Sequence, residues 1–187
     1  EERTIGATLG AESVNKSIFA GVIGIVLICL YMLVFYRFLG LFSAIGLLLY
    51  LIFMVASMKL LGVTMTMGGI AGLILSIGMS IEADVLVFER IREELRSGHT
   101  LVAASKLGFK RAWISIRDSN AVSLIICAIL YTGGGIIRGF AIVLALGIVI
   151  GLLTTFLGTR TLIDMIIRRK ITQRAWLYRV EEMEKSV

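Results

Sequence analysis

Apolar residues fall in five blocks along this chain, most of them bounded by basic side chains. The first covers residues 17–36 between Lys16 and Arg37, the second about 40–58 between Arg37 and Lys59, and the fifth 139–158 between Arg138 and Arg160. The third, 66–88, and the fourth, 113–131, carry internal charges. About 20 residues at ~1.5 Å each cross a ~30 Å hydrocarbon core, so every block is long enough to span a bilayer. Lipid offers no partner to a free N–H or C=O, which requires each span to be a helix, and the alternation of a membrane barrel strand is absent. The pattern predicts an all-α membrane protein. Its five-helix transmembrane bundle occupies residues 17–167, with a polar approach segment over 1–16 and a tail over 168–187.

Between the third and fourth blocks, ERIREELRSGHTLVAASKLGFKR, residues 89–111, reads as a helical hairpin on the membrane surface: one helical stretch stops at Ser97-Gly98, and a second, Leu101 to Leu107, ends at Gly108. Two readings of it stand, a solvated basic connector and a docking surface for another subunit. The tail is basic, then acidic, and carries Trp176 and Tyr178, as an interfacial amphipathic helix would.

Composition agrees with the pattern. The chain is 58% hydrophobic and 17% charged, has no proline and has a mean hydropathy of +0.94, whereas a soluble domain is roughly 45 to 50% apolar. The basic residues are unevenly placed. Fifteen of the 19 Lys and Arg fall on one side of the alternating spans, and only Arg3, Lys16, Lys59 and Arg138 fall on the other. Positive charge collects in the cytoplasm, so the N-terminus is expected outside and the C-terminus inside a bacterial-type inner membrane. The net charge of +6 then reflects topology and contact with anionic membrane lipid, not nucleic-acid binding. Two cysteines inside spans and a single histidine, His99, outline neither a disulfide framework nor a metal site, and no cofactor is expected. No nucleophile–base pair or phosphate loop appears, which argues against an enzyme. The chain opens with Glu1-Glu2, so the first span is not read as a secretion signal and an upstream segment is expected.

Small residues recur every four positions in two spans: Gly68, Gly72, Ser76 and Ser80 in the third, and Gly147, Gly151 and Thr155 in the fifth. Close backbone approach is what adds packing between helices in lipid, so these two helices are the expected centre of the bundle. A charged side chain within a span is costly unless paired or hydrated, and it marks a pathway or a partner. Glu82 lies seven or eight residues inward from the Glu89-Arg90 edge, up to ~12 Å along the axis and near mid-membrane. Burial disfavours the charged form of a carboxyl, which suits a group that loads and releases protons, so Glu82 is expected to be held dry inside the bundle as the leading proton-coupling candidate. Asp84, ~200° further round the helix, continues the small-residue stripe and is a second proton-coupling candidate, with two readings: it pairs with a neighbour such as Arg117 or a hydroxyl, or it carries protons itself. Arg117, Asp118 and Asn120 open the fourth span as a polar cluster. That cluster is either part of a proton path or a set of interfacial helix caps.

MTMGGIAGLILSIGMSIEADVLVFERIREELRSG, Met65 to Gly98, closely resembles the central signature of the SecD branch of the SecD/SecF export family. ERTIGATLG (Glu2 to Gly10), IRDSNAVSLIICAILY (Ile116 to Tyr131) and GGGIIRGFAIVLALGI (Gly133 to Ile148) agree with it in order and spacing. The resemblance implies half of an RND-type transporter, with SecF as the other half. It also implies a role beside the SecYEG translocon, where the proton gradient assists movement of a translocating preprotein. It places the family's acidic position on Glu82. Here the pair reads Glu82-Ala-Asp84, where the family has Asp-Ala-Asn. Two other classes stay open: an RND-type exporter of small molecules or lipids, and a structural membrane subunit that moves no protons.

Overall fold

The structure, a computed structural model, describes residues 7–159 and residue 161. Five helices follow one another, α1 (Ala7–Tyr36), α2 (Phe38–Leu60), α3 (Met67–Arg96), α4 (Leu101–Tyr131) and α5 (Gly135–Leu153), and α5 continues as a π-helical turn over Thr154–Thr159. All five are long and apolar enough to cross a membrane. Residues 1–6 and the tail over 168–187 lie outside the described residues, so the interfacial helix expected there is not addressed.

Two boundaries differ from the sequence expectation. The approach segment is already helical from Ala7, because nothing between Ala7 and Lys16 stops a helix and the turn can propagate from the span. The surface hairpin over 89–111 is likewise the continuation of the two spans it joins: α3 runs to Arg96, and α4 runs from Leu101 straight through Gly108. Gly98, at φ 84°, ends α3 in the left-handed conformation that glycine adopts freely, with the His99 N–H donating to Glu94 O across the turn at 3.2 Å. Thr100 then starts α4, accepting from the Ala103 N–H at 3.4 Å. Gly108 does not end a helix. A Cβ there would stand 2.7 Å from the Ile91 backbone nitrogen, so its lack of a side chain brings α4 against α3.

The buried side chains gather along α2, α3 and α5, including Tyr50, Met54, Val87, Phe88 and Val143. α3 packs most extensively on α5, next on α4, and is the central helix. The small-residue stripes make this possible. Gly68 and Gly72 lie against the α5 backbone at Ile136 and Phe140, Gly147 lies against Ser76, and a Cβ on Gly151 would sit 3.4 Å from that of Ser80. α1 is the opposite case, with Phe19, Leu27 and Val34 all turned outward.

The basic end of the bundle is tied by two buried charges. Arg92 donates to the Phe35 carbonyl at 3.0 Å, ion-pairs with Glu89 at 3.0 Å and places its guanidinium 4.7 Å from the centre of the Tyr36 ring. It thereby satisfies a carbonyl in the last turn of α1 that the helix leaves open. Glu94 holds Arg111 at 2.6 Å and His99 at 3.2 Å, joining the facing ends of α3 and α4.

Candidate functional site

The four-residue stripe of α3 faces inward along its whole length, from Gly68 through Gly72, Ser76 and Ser80 to Asp84, all buried. A four-residue step advances 400°, so members of such a row stay on one side of the helix for several turns. At its apolar end the stripe is a packing surface. Further along it becomes a column of polar groups. Ser76 hydrogen-bonds Tyr50 of α2 at 2.7 Å and donates to its own Leu73 carbonyl at 2.8 Å. Asp84, only 4% exposed, accepts from the Ser43 hydroxyl of α2 at 2.9 Å and from the Thr155 hydroxyl beyond α5 at 3.2 Å. One carboxyl thus joins three segments of the chain.

Thr155 stands in the π-helical turn. Widening the backbone there displaces the usual i to i−4 ladder, and π-turns often mark functional sites. The Thr154 hydroxyl compensates by donating to the carbonyls of Ile150 and Gly151, at 2.9 and 3.0 Å.

Glu82 is not inside this bundle. Two residues from Asp84 is ~200° of rotation, so once the stripe carries Asp84 inward, Glu82 must face out. It is exposed, and among the described residues nothing hydrogen-bonds to it. The expectation that it is buried within this chain is corrected accordingly. Ala71, Leu75 and Gly78 share its face, and a Cβ on Gly78 would meet nothing within 4 Å.

The polar cluster of α4 divides. Arg117 and Asp118 are exposed and pair with each other at 2.9 Å, so Arg117 does not supply the partner of Asp84. Asn120 turns inward, donating to Ile116 O at 2.7 Å beside a small void that Ser80, Ala83 and Gly151 also line. Cluster and column therefore share only Asn120. Ser43 and Tyr50 were missed in the sequence because a single hydroxyl in an apolar span has no pattern. Their spacing, with Leu47 and Met54 on the same buried face of α2, was the available signal. No group of three or more potential metal ligands gathers among the described residues.

A family model described as protein export membrane protein SecD/SecF, C-terminal, matches residues 1–169. The chain belongs to the SecD/SecF family. A protein translocase subunit SecD from Thermobaculum terrenum is 45% identical over 180 residues, covering 94% of this chain and 35% of the relative. One from Synechocystis is 49% identical over 168 residues, covering 89% and 36%. The chain thus spans about a third of the length of these relatives. The crystal structure of SecDF from Thermus thermophilus, a translocon-associated membrane protein, superposes with a TM-score of 0.86 at 37% identity, over 89% of this chain and 23% of that one. A SecDF structure in the super-membrane-facing form gives 0.82 at 36% identity, over 88% and 23%. These matches, with the five apolar helices, make the chain a multi-pass membrane protein of the SecD type, with the fold of a SecDF membrane region.

Proposed function

We propose that this chain is the membrane-embedded part of a SecD-type subunit that couples the proton gradient to export of polypeptides, working with SecF and the SecYEG translocon. Its N-terminal end lies on the external side and its basic end in the cytoplasm, following the fifteen-to-four distribution of Lys and Arg. The observation that carries the reading is the position of Glu82, a carboxyl near mid-span on an outward face of small and apolar residues, with no partner among the described residues. A carboxyl facing hydrocarbon costs several kcal/mol, so such a face is built to be covered. In this reading SecF covers it, and Glu82 takes up and releases a proton at the contact between the two halves. Asp84 is the inward counterpart. Held by hydroxyls from α2 and from the π-turn, it makes the packing of those segments sensitive to charge on α3.

The test is proton-driven export by the full-length subunit assembled with SecF. Glu82→Gln keeps the shape and removes the titration, so the gradient-dependent part of export is lost, whereas Glu82→Asp retains most of it. Export by Glu82→Gln with an unchanged dependence on the gradient would sink the proposal and favour a structural subunit.

A further inference from the structure

A groove opens on the outside of the bundle between α4 and α5, away from the Asp84 column. Its volume is about 460 Å³ and its walls are almost wholly apolar: Leu124, Ala128 and Tyr131 from α4, and Ile142, Ala145 and Val149 from α5, with Val63 closing one side. Each wall is one helix face, read in steps of three and four residues. The α5 face continues one step beyond the groove, from Ile142 back to Arg138, so a guanidinium stands at its head.

Arg138 lies over the Tyr131 ring, 4.4 Å from its centre, and donates to the Tyr131 hydroxyl at 2.5 Å. A tyrosine at this level is an interfacial anchor, with its ring in the apolar zone and its hydroxyl at the headgroups. Among the described residues Arg138 forms no ion pair with a carboxylate. Tyr131 takes one donor of the fork, and the rest of the guanidinium is available to a planar or tetrahedral anion. Below it, residues 124–131 and 142–149, eight on each helix, give a slot ~10 Å long, which matches part of an acyl chain in one leaflet of a ~30 Å core.

We propose that this groove binds one anionic phospholipid, with its phosphate on Arg138 beside Tyr131 and an acyl chain laid along Ala128, Ile142 and Ala145. A lone cation at the head of an apolar slot asks for an amphipathic anion. A further apolar helix would fill the slot and leave the guanidinium without a counter-ion. The lipid wedges between two helices that both pack on α3, so it acts as a structural ligand of the α4–α5 pair.

The test uses the full-length subunit with SecF, delipidated in detergent and examined by native mass spectrometry with phosphatidylglycerol or phosphatidylcholine. The unaltered protein retains phosphatidylglycerol about fivefold better, the discrimination expected of one basic side chain near an anionic lipid. Arg138→Gln erases the preference, Arg138→Lys keeps it, and Lys59→Gln, a basic change elsewhere on the same side, leaves it intact. Phosphatidylglycerol with a photoreactive acyl chain labels residues 124–131 and 142–149. An undiminished preference in Arg138→Gln, an equal loss in Lys59→Gln, or labelling that avoids those two stretches overturns the proposal.

Discussion

Asp84 and Glu82 share a helix and stand two residues apart, yet their surroundings are opposite. Asp84 sits where three segments converge and receives two hydroxyls, whereas Glu82 is exposed and receives no hydrogen bond from the described residues. What separates them is helical phase alone. The stripe of small residues decides which side of α3 approaches α5, and every later residue inherits its direction from that choice. A carboxyl satisfied within one chain can tune that chain's packing. One left on an outer face reports instead what the assembled protein brings to it.

The strongest way to break the comparison is to crowd the two sides of α3 in turn, the inner one from α5 and the outer one from α3 itself. Gly147→Leu forces a side chain into Ser76 and the Tyr50 hydroxyl, the latter 2.8 Å from the new Cβ, and should destabilise the bundle by about 3 kcal/mol in denaturant unfolding from micelles. Gly78→Leu on the outer face meets nothing and should change the stability of the bundle without SecF by less than about 0.5 kcal/mol. In the assembled protein Gly78→Leu should weaken co-purification of SecF. Equal losses from both glycines without SecF would show that the faces are not distinct. Asp84 supplies the next largest effect. Asp84→Leu strands the hydroxyls of Ser43 and Thr155 and should cost about 2 kcal/mol. Asp84→Asn keeps an acceptor and should stay within about 1 kcal/mol of the parent in the same unfolding measurement.

Much of this architecture could be read from the residues. The five spans rest on apolar length, broken by charges only in the third and fourth, and the central place of α3 and α5 rests on glycine spacing, both strong physical signals in lipid. The surface hairpin is less legible, because Gly108 in the sequence resembles a helix stop. A glycine inside a helix is also what lets a second helix come close, and sequence does not say which use applies. The direction of Glu82 is the larger difference from the sequence expectation. Depth along the axis put it near mid-membrane, but depth says nothing about azimuth. The row ending in Asp84 already held that information, since Asp84 belongs to the inward stripe and Glu82 cannot. Ser43 is harder to read, because its spacing with Leu47, Tyr50 and Met54 marks one face of α2 without saying that this face meets Asp84 of α3.

Labelling with a hydrophobic carbodiimide, which reaches protonated carboxyls from the lipid phase, tests the two-faced helix most directly. In membranes holding the protein without SecF, mass spectrometry should find the label on Glu82 and not on Asp84, and adding SecF should protect Glu82. Label on Asp84 with Glu82 spared, or a Glu82 signal that SecF leaves unchanged, would contradict the account.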